Sequence, residues 1–353
     1  MFCGVGDYSA RLAAALREAG ADLQVLTTRR PDTLAGDPAW VRREMPSWTR
    51  GALPQLRAAL NGFKPDVVHV QYPTQGYHYA TAPALLMLMA RALQKFVVVS
   101  TWHEYPPDAL TKGKFCQAAL ALISRAIIVV RPEYPPRVRG VLAAALGDTP
   151  IRFIPNASVV PRVTLTEGER TALRRQLCGT DRQLVAFFGF AYPNKGVEQI
   201  FDIADPARHH LVLIGNLTHS DPYHVRLRKL ADSDRWRGRV TITGFVDQQI
   251  AARYLAVSDA VVFPFLSGGG HWNSSLHAAM TQGTFVIATS TARVGYDPGE
   301  NVYYAVPGAV PDMAAALREY AGIRAASGGF RADPWMDIAQ SHLDVYRTCL
   351  AAT

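Results

Sequence analysis

The stretch Val261 to Ser290, VVFPFLSGGGHWNSSLHAAMTQGTFVIATS, decides the fold. Its apolar opening, Val261-Val262-Phe263, stops at Pro264, as a buried strand does on reaching a pocket rim. Ser267-Gly268-Gly269-Gly270 reads as a loop, and His271 to Met280 as a helix with Ser274 and Ser275 placed to cap it. Gly283 closes that helix, and Phe285-Val286-Ile287-Ala288 resumes a buried strand. Strand, glycine-rich loop, helix and strand make one crossover of a parallel sheet, with a helix start aimed beyond the strand ends. Free N–H groups and the positive end of the helix dipole suit a phosphate there.

Working outward, a chain of 353 residues predicts two domains rather than one core. With 49% hydrophobic and 19% charged residues it has the composition of a globular protein, without long disorder. The formal charge of +8 gathers at Arg29-Arg30, Arg42-Arg43, Arg174-Arg175 and the run from Arg226 to Arg239. It reads either as a solvated surface or as attraction to a diphosphate or an anionic lipid surface. Nucleic acid is not expected as a partner, because basic and aromatic residues do not interleave and no zinc spacing occurs. Cys3, Cys116, Cys178 and Cys349 stand apart, without a metal or redox pair, which fits a reducing cytosol. No segment reaches the ~18 to 20 apolar residues of a membrane span. The nearest approach, Ala80 to Leu93, is broken by Pro83 and Arg91.

The chain opens on Gly4-Val5-Gly6-Asp7-Tyr8, a glycine turn leading into a helix with Leu12, Ala15 and Leu16 on one side. Such a turn normally follows a strand. None precedes it here, which predicts a first strand missing from the sheet and a chain that starts late. Strands are then expected at Leu23 to Thr27, Asp66 to Val70, Phe96 to Thr101 and Ala126 to Val130. Helices are expected at Leu53 to Phe63, Pro83 to Gln94 and Phe115 to Ser124 between them. Polar residues collect past the strand ends, where open α/β sheets bind ligands. His103 among them reads as a catalytic or sugar-contacting group or as a strand cap, and Glu104 as a base or a structural acceptor.

Ile154-Pro155-Asn156-Ala157 reads as a hinge, after which the alternation restarts. Leu184 to Phe188 leads into Gly189 and the loop to Gly196, Leu211 to Ile214 into Gly215-Asn216, and Val240 to Thr243 into Gly244-Phe245-Val246. Three strands therefore deliver glycine to one rim, and two α/β halves predict a ligand cleft between them. Gly328-Gly329 reads as a link to a last helix, Trp335 to Leu350, with one apolar face.

Gly4-Val5-Gly6-Asp7-Tyr8, His103, Ile154-Pro155-Asn156, Asn194-Lys195-Gly196, Gly244-Phe245-Val246 and Gly299-Glu300-Asn301 follow an order similar to that of the GT-B-fold retaining glycosyltransferases of family 4. The resemblance implies two Rossmann-like doubly wound domains facing across a cleft. Residues 1–157 would bind the acceptor and residues 158–330 the nucleotide-sugar donor, with 331–353 a helix crossing back to the first domain. It implies no metal and no cofactor, the nucleotide sugar being a substrate. The acceptor class it implies is a sugar, glycolipid or polysaccharide. The isolated cysteines give a cytoplasmic expectation, and the basic charge with the apolar Pro83 to Leu93 helix leaves open a peripheral contact with anionic membrane at its inner face.

Carried over residue by residue, Lys195 matches the lysine that contacts the donor diphosphate, against the plainer reading of a solvated loop lysine. Gly189, Asn194, Gly215, Gly244, Phe245, Val246, Ser274, Ser275 and Leu276 fall on donor-side positions. Gly4, Val5, Gly6 and Asp7 fall on the loop that meets the donor phosphates or the acceptor, and His103 on the histidine near the reacting sugar. Three departures stand out. Phe190 replaces an arginine, and the two glutamates of most relatives fall on Gly270 and Ala278. Two alternatives to an active transferase follow, a non-catalytic binding or assembly partner and a sugar-nucleotide 2-epimerase.

Overall fold

The runs Val97-Val98-Val99 and Ala126-Ile127-Ile128-Val129 carry no alternation, the mark of strands covered on both faces. In the computed structural model they are central strands of a parallel sheet, buried along their whole length. The structure describes residues 4–29, 37–72, 96–104, 112–132, 134–179, 182–270, 273–325 and 334–352. The helix expected at Pro83 to Gln94, the link at Gly328-Gly329 and His271 lie outside them. The chain divides into two units, residues 1–156 with 333–353, and residues 157–332.

In the first unit, β3 (Val67–Tyr72), β4 (Val97–Trp102), β5 (Ala126–Val129) and β6 (Ile151–Phe153) form a parallel sheet in that order. β1 (Val25–Thr28) and β2 (Val41–Met45) pair parallel with each other, and among the described residues no strand joins them to β3. The helices are α1 (Gly4–Glu18), α2 (Leu53–Phe63), α3 (Lys112–Ile123) and α4 (Tyr134–Leu146). A C-terminal helix of the same unit, Trp335–Ala351, packs on α1, with the Tyr8 and Trp335 rings 5.3 Å apart. β3 and β4 run further than sequence periodicity predicts, so Gln71, Tyr72 and Trp102 belong to the strands. Trp102 is wholly buried and donates from Nε1 to Ser100 Oγ at 3.0 Å, which lets a polar-tipped ring extend the strand inward.

The second unit holds a seven-stranded sheet in the order β12-β13-β11-β10-β7-β8-β9. Its strands are β7 (Gln183–Phe188), β8 (His209–Ile214), β9 (Val240–Ile242), β10 (Ala260–Phe263), β11 (Val286–Thr289), β12 (Gly295–Asp297) and β13 (Val302–Ala305). All neighbours are parallel except β12 and β13, which form an antiparallel edge. The helices are α5 (Glu167–Cys178), α6 (Ile200–Ile203), α7 (Pro222–Ala231), α8 (Gln248–Val257), α9 (Ser274–Thr281) and α10 (Val310–Tyr320); the C-terminal helix of the first unit is α11. A capping box starts α5, Thr166 and Glu169 each bonding the other's backbone N–H. Gly283, at φ 68°, ends α9 as expected.

Among the described residues no helix is long and apolar enough to cross a membrane. Leu120 on α3 is fully buried in the first unit's core, while Leu122 two positions on is 68% exposed. Leu120→Ala is expected to cost about 2 to 5 kcal/mol and Leu122→Ala less than about 0.5, read as shifts of the urea midpoint.

Candidate functional site

In the second unit the chain leaves β7 towards β8 on one side, while β10 pairs with β7 on the other. This reversal opens a crevice at the carboxyl ends of β7 and β10, the place where open α/β sheets hold ligands. Gly189 follows β7 with φ 127°, and a Cβ there would lie 2.9 Å from Ser275 Oγ. At Gly215, after β8, a Cβ would lie 2.5 Å from the Gly189 carbonyl oxygen. A Cβ at Gly196 would lie 2.3 Å from the Pro264 carbonyl oxygen. Backbone thus meets backbone at the rim, an approach only glycine permits.

Asn273, not Ser274 or Ser275, caps α9. Its Oδ1 accepts the N–H groups of Ser275 at 3.0 Å and Leu276 at 3.4 Å. The reason is backbone geometry: Asn273 is extended and can reach back over the first turn, whereas the two serines are already helical. The helix start is left with the Ser274 N–H and two half-buried hydroxyls to offer a ligand. Leu276, a donor-side position by resemblance, has its side chain wholly buried in the core and its N–H donated to Asn273 Oδ1. Ala278 is buried in the same core.

Lys195 ends a short 3-10 turn, Pro193–Lys195, and its Nζ stands 4.2 Å over the Phe265 ring. Asn194 is exposed, with its carbonyl tied to the Leu266 N–H at 3.1 Å. Gly244 has φ 70°, Phe245 is 56% exposed and Val246 packs against the core edge. Phe190, at the arginine position of relatives, is exposed and stacks with Tyr192, their centroids 6.0 Å apart.

In the first unit Gly4, Val5, Gly6 and Asp7 form the first turn of α1 rather than a loop ahead of it. The Ala- and Leu-rich body of α1 favours helix strongly enough to extend over them. A Cβ at Gly4 or Gly6 would meet nothing within 4 Å among the described residues, so packing there does not require glycine. Burial raises the Asp7 carboxyl above its usual range.

His103, just past β4, donates from Nε2 to Gln71 Oε1 at 2.8 Å, and the Tyr8 ring meets it edge-on at 4.9 Å. Behind it lies a polar layer that sequence reasoning missed. His69 on β3 meets Thr101 Oγ1 at 2.8 Å and, on α11, Tyr346 Oη at 2.6 Å. His342 approaches Tyr8 Oη at 3.5 Å. The signal was present as polar residues two apart on strands paired in register, His69 and Gln71 beside Val99 and Thr101, which share a face. Burial first, and the neighbouring His342 second, push His103 down to about 3. Burial likewise pushes His342 down to about 4, and His69 well below its ordinary value. All three rings are neutral at pH 7, so His103 serves as a hydrogen-bonding group and not as a resting acid.

Residues 3–186 match the family model for the glycosyl transferase 4-like domain. The chain belongs to that family. Residues 169–319 match, in addition, the model for glycosyl transferases group 1. Among solved structures it is similar to sucrose-phosphate synthase from Thermosynechococcus elongatus, at 19% identity and TM-score 0.74 over 99% of this chain and 94% of that one. The catalytic domain of starch synthase IV from Arabidopsis thaliana, bound to ADP and acarbose, matches at 12% identity and TM-score 0.65 over 99% of this chain and 97% of that one. HepE of Anabaena, in complex with UDP and glucose, matches at 14% identity and TM-score 0.65 over 86% and 84%. No curated protein matches. The fold is that of GT-B glycosyltransferases, and the chain is a glycosyltransferase by family.

Two outcomes are expected. Gly215→Ala forces its methyl onto a backbone carbonyl, so it lowers the thermal midpoint and weakens any nucleotide binding together, checked by thermal shift. An unfolded chain takes up histidine protons near pH 6.5, while the folded one resists to about 3 at His103 and about 4 at His342. Stability is therefore full above pH 6.5 and falls as pH drops below it, by at most about 1.4 kcal/mol per histidine per pH unit. Urea midpoints at pH 7 and pH 5 check the direction.

Proposed function

We propose that the protein is a retaining glycosyltransferase that moves a sugar from a nucleotide-diphosphate donor to a hydroxyl of a sugar, glycolipid or polysaccharide acceptor. The observation that carries this reading is the packing of Gly215 on the Gly189 carbonyl and of Gly189 on Ser275 at the start of α9. It leaves a rim where backbone, and not side chains, meets a ligand, with Lys195 at its edge. The second unit holds the donor. Lys195 and the Ser274 and Ser275 end of α9 neutralise the diphosphate as it leaves. The bond between the anomeric carbon and the phosphate oxygen breaks while the acceptor oxygen bonds that carbon from the same face. The acceptor's proton passes to the departing phosphate, so no carboxylate pair is needed. His103 accepts or donates a hydrogen bond to a hydroxyl of the reacting sugar, and its neutrality keeps that role constant across physiological pH.

A second reading is favoured by one specific observation, that Gly270 and Ala278 stand where most relatives carry glutamates. In it the fold binds a nucleotide without transferring sugar. A thermal-shift panel of UDP, GDP, ADP and their sugars, followed by donor hydrolysis without acceptor, separates the two. A transferase shows a shift selective for one base together with turnover; a binding protein shows the shift alone. Lys195→Ala is expected to lower transfer about 100-fold with the fold intact. Unchanged transfer in that variant would remove Lys195 from the mechanism.

A further inference from the structure

We propose that Gln71 is a positioning residue that couples the tautomers of His69 and His103, holding His103 with its proton on Nε2 and its lone pair on Nδ1. The inference rests on the reading above that His103 meets the reacting sugar. It deepens that reading by naming what presents the ring. The hydrogen-bonded chain runs from Tyr346 on α11 through His69 and Gln71 on β3 to His103 just past β4.

The two ends of an amide are chemically distinct, and that makes the chain directional. Gln71 Nε2 lies 3.3 Å from His69 Nε2, and an amide nitrogen only donates, so His69 Nε2 carries no proton. The Thr101 hydroxyl, 2.8 Å from the same nitrogen, donates to it as well. The His69 proton is then on Nδ1, which donates to Tyr346 Oη at 2.6 Å. Gln71 Oε1 faces His103 Nε2 at 2.8 Å, and an oxygen with no hydrogen accepts, so His103 Nε2 is the donor. Turning the amide over would reverse both rings at once. One side chain therefore sets which nitrogen of each histidine bears the proton, the kind of second contact that decides a neutral imidazole's role. The Nδ1 atom of His103 makes no hydrogen bond among the described residues. With its lone pair there, Nδ1 of His103 accepts a hydrogen bond from a sugar hydroxyl and donates none.

Gln71 sits on β3, inside the parallel register with β4 that pairs it with Thr101, so its reach to His103 is set by the sheet and not by a loop. Tyr346 gives the chain a fixed far end, because the His342 and Tyr346 rings pack around His69 at centroid distances of 5.6 and 5.5 Å.

Long-range proton–nitrogen NMR of histidine-labelled protein reads both tautomers directly. In the native chain His69 is expected as the Nδ1–H form and His103 as the Nε2–H form. In Gln71→Leu both are expected to become mixtures, with kcat reduced roughly tenfold, as for one lost hydrogen bond, while the affinity for nucleoside diphosphate is unchanged. Gln71→Glu retains an acceptor for His103 Nε2–H and is expected to restore that tautomer and most of kcat. Should Gln71→Leu unfold, Gln71→Glu alone still decides: loss of the His103 Nε2–H form in it overturns the proposal. A His103 tautomer unaltered in Gln71→Leu also overturns it. A native protein that transfers no sugar but shows linked tautomers defeats the functional reading and leaves the coupling standing.

Discussion

The second unit depends on one steric constraint, the contact of Gly215 with the carbonyl of Gly189. A Cβ at Gly215 would come within 2.5 Å of that oxygen. Only two glycine-bearing strand ends can close to this distance, and their closure sets where β7 and β8 stop. Once they stop there, Gly189 at φ 127° turns the chain under the first turn of α9, against Ser275. The same kind of contact, Gly196 on the Pro264 carbonyl, fixes the turn that carries Lys195. Placement of Lys195 at this rim thus follows from the close approach of glycine backbone beside it. An anion at such a rim meets N–H dipoles and a helix start at short range, where electrostatic interaction is strongest.

The first unit is organised on a different principle. Its sheet presents a layer of neutral polar side chains, His69, Gln71, Thr101 and His103, to a helix that returns from the end of the chain. Burying such groups costs free energy unless each finds a partner, and here each member bonds the next. The layer consequently does two things at once. It ties α11 to β3, and it excludes protonation of its imidazoles across the physiological range.

The alternation of apolar runs with helices, the restart after the Ile154 to Ala157 stretch and the glycines just past β7, β8 and β9 were all legible in the chain, because strand burial and backbone approach leave direct marks on residue choice. The family resemblance was legible from the order of short motifs. Details decided by hydrogen-bond reach were not. Ser274 and Ser275 have the composition of a cap, yet Asn273 supplies it, because the extended backbone one residue earlier is what lets a side-chain oxygen return to the first turn. Leu276 shares a motif position with its neighbours and faces the opposite way, since ~100° per residue separates successive side chains on a helix.

By itself, then, the sequence determined the fold class and the alternation of strand and helix that builds it, consequences of local periodicity and of residues with special backbone freedom. Tertiary structure alone decided the polar layer behind His103. Tyr346 lies 277 positions from His69, and their 2.6 Å contact exists only because α11 packs over β3. Which nitrogen of a histidine bears its proton follows from the partner it meets, and no periodicity in the chain encodes a partner that distant.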